Sequence, residues 1–364
     1  MRKTTDSRKM LLMKGNEALA EAALRAGCRF YAGYPITPQN ELPEYMAKHM
    51  PETGGVFIQG ESELASINMV FGASAAGVRA MTSSSSPGIS LMQEAISFLA
   101  GAELPAVIVN IQRGGPGLGN ITGSQADYFQ AVKGGGHGDY RCLVYAPFSL
   151  QEMWDLTMRA FDKAETYRMP AVILGDGVVG QMMEPFSPTQ YVRPELPPKD
   201  WIVDGCKGRK PRVIRSLCMG QGELEQRNRK LLKKYELVKK KEVMFDACDV
   251  KDSELVVVAF GTAARIALSA VQELRREGAK IGLFRPVTLY PFPEKQLSRL
   301  AGERRTFLVV EMNAGQMVED VRLAVNGRSE VLFYGRPGGV VFNPEELYKK
   351  IKTVYSRKKR RQRS

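Results

Sequence analysis

The sequence predicts an α/β protein with two domains, of which the first is built on a parallel β-sheet covered by helices on both faces. Two observations predict this fold class. Apolar runs typical of buried strands alternate with segments of helical periodicity over most of the chain, and this alternation is the pattern of a parallel sheet. The 364 residues also exceed what one hydrophobic core usually supports.

The predicted boundaries follow from where this alternation starts and stops. The first domain covers residues 10–190, and the second, smaller domain covers residues 253–355. A basic, proline-rich linker at 191–252 joins them. The basic tail at 356–364 lacks interleaved aromatic residues and is expected to be disordered.

The first domain opens with the helix NEALAEAALRAG, which ends at Gly27 as a C-cap. The next strand, RFYAGYP, ends in a stiff turn because prolines on both sides of Ile36 and Thr37 exclude a helix or a central strand. The remaining elements are three strand–helix pairs and a final strand: GVFIQG with SELASINMVFGASAAG, VRAMTSSSS with PGISLMQEAISFLAGA, LPAVIVNIQRG followed after a glycine-rich loop by SLQEMWDLTMRAFDKAETYR, and MPAVILGDG.

The linker interrupts this alternation with the proline-rich stretch PTQYVRPELPPKDW and one charged helix, GELEQRNRKLLKKYELVKKKEV. From Ser253 the alternation resumes. The second domain is predicted to contain four strands and three helices, in the order ELVVVAFG, TAARIALSAVQELRREG, AKIGLFRP, PEKQLSRLAG, RTFLVVEMN, GQMVEDVRLAVNG and EVLFYG.

The positive charge is concentrated in two places. The net charge is +13, yet residues 207–242 hold 13 Lys/Arg against 4 Glu, and the tail RKKRRQRS adds further cations. The rest of the chain is nearly neutral, which favours docking patches for an acidic partner over nucleic-acid binding. No apolar run reaches the ~18 residues of a membrane span, and the N-terminus has no apolar secretory core. A cytoplasmic protein that contacts no membrane is therefore expected.

The cysteines and histidines argue against metal chemistry in this chain. Five dispersed cysteines form no C-x-x-C pair, so we expect reduced thiols and no iron–sulfur cluster held by this chain alone. The only histidines, His49 and His137, give little support to a zinc site or a Ser-His-Asp triad. The triplet GDG around Asp176 could begin a metal-binding signature. The next asparagine, Asn228, lies in the charged linker helix, so we interpret Asp176 as a strand-end turn residue.

Four motifs lie where predicted strands end, and three of them have an ordinary interpretation beside a functional one. Arg113 in RGGPGLGN could bind a carboxylate or phosphate, or simply face solvent. Glu61 and Glu63 in GESELAS could perform chemistry, or merely complement a helix dipole. The serines of TSSSSPG, including Ser86, could bind an anion or only cap the next helix. The fourth motif, the turn YPITP, holds Thr37 in a fixed direction.

Taken in order, these motifs resemble the alpha subunits of 2-oxoacid:ferredoxin oxidoreductases. The resemblance covers roughly residues 13–355 and is carried by GNEALAEAALRAGCRFYAGYPITPQNELPE, ESELASINMVFGASAAGVRAMTSSSSPGISLMQE, QRGGPGLGN, GGGHGDYR, FRPVTLYPFPEKQL and EMNAGQMVEDVRLAV. The loop RGGPGLGN is most similar to that of the branched-chain, or 2-oxoisovalerate, group. Members that act on 2-oxoglutarate usually carry R-G-G-P-S-T-G or a close variant there.

The resemblance implies a thiamin diphosphate site shared between two subunits. This chain would supply a pyrimidine-binding domain, followed by a transketolase C-terminal-like domain, and a beta subunit would bind the diphosphate with magnesium. Glu63 would be the catalytic acid that hydrogen-bonds the pyrimidine ring of the cofactor, and Ser86 would also contact the cofactor. Arg113 and Thr37 would bind the 2-oxoacid substrate.

The implied reaction is the oxidative decarboxylation of a branched-chain 2-oxoacid to an acyl-CoA and CO2, with coenzyme A as co-substrate and ferredoxin as electron acceptor. The implied partners are the beta subunit, a gamma subunit, a small ferredoxin-like iron–sulfur subunit and ferredoxin. Two alternatives stay open. One is the 2-oxoglutarate enzyme, whose substrate has a second carboxylate that Arg113 alone does not clearly serve, and the other is a non-catalytic scaffold of the same fold.

Overall fold

The computed structural model describes residues 10–301 and 305–363. It contains two α/β units with largely parallel sheets, as the sequence predicts, and a short two-stranded ribbon. Residues 1–9, part of the N-terminus expected to lack a secretory signal, and Ser364, the end of the basic tail, lie outside the described residues. Within the described part of the chain, no helix is both long and apolar enough to cross a membrane.

The first sheet has seven strands and carries the strand ends singled out above. In spatial order the strands are β12 (Thr288–Tyr290), β6 (Leu143–Tyr145), β7 (Ala171–Asp176), β5 (Val107–Gln112), β4 (Ala80–Ser84), β2 (Phe30–Gly33) and β3 (Val56–Gln59). All neighbouring pairs are parallel except β12 with β6. Every residue of β4, β5 and β7 is buried, as expected for central strands covered on both faces.

Six helices and the ribbon accompany this sheet. The helices are α1 (Gly15–Arg25), α2 (Glu41–His49), α3 (Glu63–Ala75), α4 (Ser86–Gly101), α5 (Leu150–Tyr167) and α6 (Gly177–Gln181). The ribbon pairs β1 (Leu11–Lys14) with β8 (Met183–Phe186) in antiparallel register. A 3-10 turn at Pro51–Thr53 and a π-helical turn at Gln130–Gly134 complete the unit.

The second sheet has five strands. In spatial order they are β14 (Val331–Gly335), β13 (Thr306–Glu311), β10 (Leu255–Val258), β11 (Ile281–Pro286) and β9 (Phe245–Cys248), of which only β9 is antiparallel to its neighbour. The helices of this part are α7 (Glu223–Lys241) in the linker, α8 (Gly261–Arg276), α9 (Glu294–Ala301), α10 (Met317–Val325) and α11 (Pro344–Arg363).

The linker helix is confirmed, and it packs firmly on the first unit. Leu231, Tyr235 and Val238 form the buried face of α7. On the same helix, Lys230 and Lys234 donate to the carboxylate of Glu103 at 2.5 and 3.0 Å. The linker helix is therefore packed against the outside of the first sheet unit and is not a free connection between the two units.

Strand β12 differs from the sequence prediction, which assigns its residues to the second domain. It pairs antiparallel with β6, with Thr288 opposite Tyr145 and Tyr290 opposite Val144. The amide of Ala146 also donates to the carbonyl of Val287 at 2.8 Å. An apolar run such as VTLY has the same pattern in either sheet, so periodicity alone does not assign it.

The basic tail also differs from the prediction, because the chain is helical through Arg363 in α11. Two contacts explain why the helix continues. Lys358 donates to the carbonyl of Glu254 at 2.7 Å and to the hydroxyl of Thr306 at 3.1 Å. The ammonium of Lys359 lies 4.9 Å from the ring of Tyr355, one helical turn earlier.

Candidate active site

The carboxyl ends of four neighbouring parallel strands meet at one edge of the first sheet. β5, β4, β2 and β3 are adjacent and parallel, so the segments that follow them lie side by side. Those segments carry Arg113, Ser86, Thr37 and Glu63 in that order. Ligands of open α/β sheets bind at this edge, and the fold brings all four predicted site residues to it.

Glu63 is buried at the start of α3, with 5% of its surface exposed. The helix begins here because the Oγ of Ser62 accepts a hydrogen bond from the amide of Ala65 at 3.1 Å. The hydroxyl of Ser84, at the end of β4, donates to Glu63 Oε1 at 3.4 Å. Glu61 is exposed, so of the two acids only Glu63 turns inward.

Gly88 allows the carboxylate of Glu63 to approach α4. A Cβ atom at this position would overlap Glu63 Oε1 and Ser84 Oγ. The glycine in TSSSSPG is therefore required by a close approach between two elements, and any side chain here would displace the inward-facing acid. The position of the Glu63 carboxylate therefore depends on this residue.

The proline-flanked turn is held by hydrogen bonds to two neighbouring elements. Its Thr37–Pro38 peptide bond is cis. The side-chain amide of Asn16, in α1, donates to the carbonyl of Pro38 at 3.0 Å. Gln39 is fully buried, and its Oε1 accepts from the hydroxyl of Ser83, in β4, at 2.6 Å. The turn is thus locked to α1 and β4, and it presents the Thr37 carbonyl toward Arg113.

Arg113 is 9% exposed and is held by backbone carbonyls rather than by acids. Its guanidinium donates to the carbonyls of Thr37 and Leu118, each at 3.0 Å. Its Nε is buried without a hydrogen-bond partner, and no carboxylate among the described residues forms an ion pair with it. A buried cation in these surroundings is stabilised by an anionic ligand.

Ser86 connects the start of α4 to the segment of Arg113. Its hydroxyl donates to Asp127 Oδ2 at 2.6 Å and accepts from the amide of Arg113 at 3.0 Å. Its own amide donates to Asn110 Oδ1 at 3.1 Å. Because a hydroxyl has only one proton to donate, Ser86 has no further donor for a ligand.

Several polar atoms at this edge are buried without a partner, and of the residues that carry them only Gln39 was not singled out in the sequence. Ser85 Oγ, Gln39 Nε2 and Arg113 Nε are buried and have no hydrogen-bond partner within the described chain. Buried polar groups are nearly always paired in folded proteins, so these unpaired donors make the strand edge a candidate place for a ligand. Asn110, a polar residue inside the apolar run AVIVNIQ, is a further sign in the sequence of polar contacts at this strand edge.

Asp176 is the predicted turn residue, and it joins the two sheet units. Its Oδ1 accepts from the amides of Val178 and Val179 at 2.9 and 3.2 Å, which caps α6, and from the hydroxyl of Thr262 in α8 at 2.8 Å. Burial raises the pKa of Asp176, and these hydrogen bonds oppose the rise. Within the described residues, no group of three or more His, Cys, Asp or Glu side chains is arranged to hold a metal ion.

The rim of this edge is apolar and exposed. Leu118 and Ile121, in the loop after Arg113, are 79% and 62% exposed, and Leu64 at the start of α3 is 45% exposed. The loop itself is anchored to the second sheet unit, since the side-chain amide of Asn120 donates to the carbonyl of Gly338 at 2.8 Å. Exposed apolar side chains beside a polar site are a candidate contact surface for another molecule.

Two family models match the chain. Residues 21–240 match the thiamin-diphosphate-binding domain of pyruvate flavodoxin/ferredoxin oxidoreductases. Residues 253–347 match core domain II of pyruvate:ferredoxin oxidoreductase. The gap between the two matches, residues 241–252, is the end of the predicted linker, and the rest of that linker lies within the first match.

Curated relatives align over nearly the whole chain. The ketoisovalerate oxidoreductase subunit VorB of Methanothermobacter marburgensis is 48% identical over 94% of this chain and 97% of its own length. The 2-oxoglutarate synthase subunit KorA of Methanothermobacter thermautotrophicus is 37% identical over 93% of this chain and 97% of its own length.

Solved structures have the same fold. The 2-oxoglutarate:ferredoxin oxidoreductase from Magnetococcus marinus, solved with 2-oxoglutarate, coenzyme A and succinyl-CoA bound, superposes with a TM-score of 0.87 at 25% identity. That match covers 95% of this chain but only 65% of the other one. An inactive split-gene transketolase tetramer superposes with a TM-score of 0.58 at 13% identity over 94% of this chain, which concerns the fold alone.

Proposed function

Because the chain belongs to the family of thiamin-diphosphate-dependent 2-oxoacid:ferredoxin oxidoreductases, we propose that it binds the pyrimidine half of thiamin diphosphate in an enzyme for branched-chain 2-oxoacids. The observation that carries the proposal is the strand edge that holds Glu63 and Arg113 among unpaired buried donors. The carboxylate of Glu63 can accept from a ring N–H of the cofactor, and the unpaired donors can bind the carboxylate of an acid substrate. The residues present therefore fit the cofactor that the family uses.

Glu63 would act on the cofactor ring. When bound, thiamin diphosphate supplies a nucleophilic carbon and a sink for the electrons left by the loss of CO2. The buried carboxylate of Glu63 would hold a proton at the pyrimidine ring nitrogen, as a charge-assisted hydrogen bond in a site closed to water. Gly88 leaves room for the Glu63 carboxylate at this position.

Arg113 would bind the carboxylate of the 2-oxoacid. Its two terminal nitrogens are fixed by the carbonyls of Thr37 and Leu118, so the side chain is already oriented before substrate arrives. Its unpaired Nε and uncompensated charge would be satisfied by the acid. Thr37 would support the substrate from the adjacent strand end.

Ser86 would contribute to the cofactor side by fixing the start of α4, since its hydroxyl already donates to Asp127. The neighbouring hydroxyl of Ser85 has no partner in the described chain and would be the one that reaches the ligand. This refines the expected role of Ser86 from a direct contact to a support.

The branched-chain substrate is supported by the loop after Arg113. A 2-oxoglutarate substrate carries a second carboxylate, which needs a second cation. The loop from Gly114 to Val132 contains no lysine or arginine, and its prominent side chains are Leu118 and Ile121. The higher identity to a ketoisovalerate oxidoreductase subunit than to a 2-oxoglutarate synthase subunit points the same way.

The partners would be a beta subunit that binds the diphosphate and magnesium, a gamma subunit, a ferredoxin-like iron–sulfur subunit and ferredoxin itself. The exposed apolar rim of Leu118, Ile121 and Leu64 supports a subunit seated over the strand edge. Coenzyme A would be the acyl acceptor. These partners and this co-substrate are proposed for the chain because it belongs to the family.

The proposal is tested on the complex co-purified with its partner subunits. Oxidation of 2-oxoisovalerate, 2-oxoglutarate and pyruvate is measured with coenzyme A and ferredoxin, and we expect the highest kcat/KM with 2-oxoisovalerate. The variant Arg113→Gln should raise KM by on the order of 10- to 100-fold, the range lost with a charged hydrogen bond. Faster turnover of 2-oxoglutarate would favour the alternative enzyme, and an assembled complex that oxidises none of the three would indicate a scaffold subunit.

A further inference from the structure

One segment, residues 124–129, links the candidate site to the second sheet unit, and we refer to it as the bridging segment. The amide of Gln125 donates to the carbonyl of Met312 at 3.0 Å, and Gln125 Nε2 donates to the carbonyl of Phe260 at 2.7 Å. Gln316 Nε2 donates to the carbonyl of Ala126 at 2.7 Å. The bridging segment is therefore fixed from the side of the second unit.

The same anchoring continues beyond Asp127. The hydroxyl of Tyr128 donates to Asp320 Oδ2 at 2.6 Å, and the amide of Phe129 donates to Gln316 Oε1 at 2.8 Å. Hydrogen bonds to the second unit thus lie on both sides of Asp127 in the chain. The position of this residue is set by two flanking anchors.

Asp127 itself turns to the strand edge. Its Oδ2 accepts from the Ser86 hydroxyl at 2.6 Å and from Asn110 Nδ2 at 2.9 Å. Its amide donates to Gln112 Oε1 at 3.1 Å. Through Ser86 the contact reaches the amide of Arg113 at 3.0 Å, so one carboxylate ties the start of α4 to the strand end that carries the arginine.

We infer that Asp127 is a positioning residue, which holds Ser86 and, through Ser86, the backbone of Arg113 in place. Because the second unit anchors the bridging segment on both sides of Asp127, it also fixes the strand edge through this carboxylate. The second unit, which carries none of the proposed catalytic residues, then takes part in substrate binding. This inference rests on the proposed function, since it assigns Arg113 to the substrate.

The test uses the complex with its partner subunits and three variants. Asp127→Ala removes the acceptor, Asp127→Asn keeps an acceptor oxygen of the same shape, and Asp162→Asn is the matched control. Asp162, on α5, accepts from Arg79 and Tyr191 and forms no hydrogen bond with the strand-end residues. For each complex, KM and kcat are measured for the 2-oxoacid, and thermal unfolding is recorded.

We expect Asp127→Ala to raise KM by about 10- to 100-fold with a smaller fall in kcat, because a ~1 Å misplacement of a binding group costs this order. Asp127→Asn should restore most of the loss, and Asp162→Asn should leave KM unchanged. If Asp127→Ala has the KM of Asp162→Asn, or if Asp127→Asn is as impaired as Asp127→Ala, the inference is wrong.

A second measurement does not depend on activity. Hydrogen–deuterium exchange of the peptide that contains Arg113 should be faster in Asp127→Ala, and also in Ser86→Ala, which breaks the same link with a smaller change. Unchanged exchange in both variants would overturn the inference. If the wild-type complex oxidised no 2-oxoacid, the proposed function would fall, while the exchange experiment would still decide whether Asp127 orders the Arg113 segment.

Discussion

Glu63 and Glu61 are two residues apart and have opposite surroundings. Glu63 is buried beside Ser84 and Gly88, whereas Glu61 is exposed. The difference arises because the Ser62 cap starts α3 between them. A substitution at each position therefore separates a role in the site from a general effect of removing a negative charge near a helix start.

The first prediction concerns this pair of acids. Glu63→Gln keeps the shape of the side chain but removes the anion that holds a proton at the cofactor ring, so the assembled complex should lose ~10²-fold or more in rate. Exchange of the cofactor C2 proton, followed by NMR after quenching in deuterated buffer, should slow in parallel. Glu61→Gln should retain nearly the wild-type rate. If Glu61→Gln slowed the exchange and Glu63→Gln did not, the other carboxylate would be the catalytic one.

At the scale of single residues, the sequence predicted which residues of the ordered motifs would lie at one strand edge, and their roles stay predictions. Glu63, Ser86, Thr37 and Arg113 each follow a strand, and parallel strands bring their ends together. Gln39 and Asp127 were not predicted, because they act through hydrogen bonds between segments far apart in the chain. Ser86 and Asp127, for example, are 41 positions apart, and no periodicity records such a pair.

At the scale of elements, the ion pairs between α7 and the first unit depend on one carboxylate, that of Glu103. Burial acts to raise the pKa of Glu103, but Lys234 and Lys230 outweigh it and lower the pKa to about 2. Lys234 is buried too, and burial lowers its own pKa, so the pair contributes less than the Glu103 shift alone implies. The docking of α7 is thus linked to pH.

The second prediction follows from the sign of that shift. Because the folded pKa of Glu103 lies below the unfolded one, its contribution is present at neutral pH and is lost as the pH falls from the unfolded value toward about 2. Glu103→Gln should lower the free energy of unfolding by ~1.5–3 kcal/mol at pH 7, the range for a hydrogen bond to a charged group. Urea unfolding at pH 7 and pH 3 checks this, since the gap between wild type and variant should narrow at pH 3. A gap that widened at low pH would contradict it.

Most elements were predictable because their periodicity is long and regular, as in α5 and β7. Short elements were not. Strand β6 is buried and apolar but only three residues long, Leu143–Tyr145, and β9 (Phe245–Cys248) is exposed along its length, so the first is too short and the second too exposed to be identified as a strand from an apolar run. The helix in the basic tail was missed because its support comes from Glu254 and Thr306, which are distant in sequence.

At the scale of the whole molecule, the two sheet units are joined by buried polar groups. Gln125 is fully buried and satisfies the amide of Met312 and the carbonyl of Phe260 with its side chain. Arg285, in β11, donates to Glu152 Oε2 in α5 at 2.8 Å. An interface of this kind favours unfolding of both units together.

The third prediction concerns that coupling. Gln125→Ala leaves a buried amide and a buried carbonyl unpaired, which costs about 1–3 kcal/mol each. Calorimetry should then show a lower melting temperature and a broader or split transition, because the two units separate before both unfold. The exposed Gln226→Ala, in α7, serves as the control and should leave the transition unchanged. A single sharp transition in Gln125→Ala at the wild-type temperature would contradict the prediction.

The fourth prediction concerns the basic linker. No carboxylate of the described chain pairs with Lys233, Lys240 or Lys241, all of which are exposed. If they dock an acidic ferredoxin-like subunit, added salt should weaken its association, and the double variant Lys240→Glu, Lys241→Glu should weaken it further. Lys349→Glu, on α11, is the control. Association measured by ultracentrifugation that was insensitive to both salt and the double variant would remove this role.

The position of β12 also bears on how this protein can be dissected. A fragment that ended at the linker would contain every strand of the first sheet except β12, the edge strand that pairs with β6. Strand β6 would then present an open row of backbone donors and acceptors, which is a template for pairing with other chains. We expect such a fragment to aggregate even though each proposed catalytic residue is present in it. A soluble fragment would have to continue past Tyr290, so the point where the sequence pattern changes is a poor place to cut the gene.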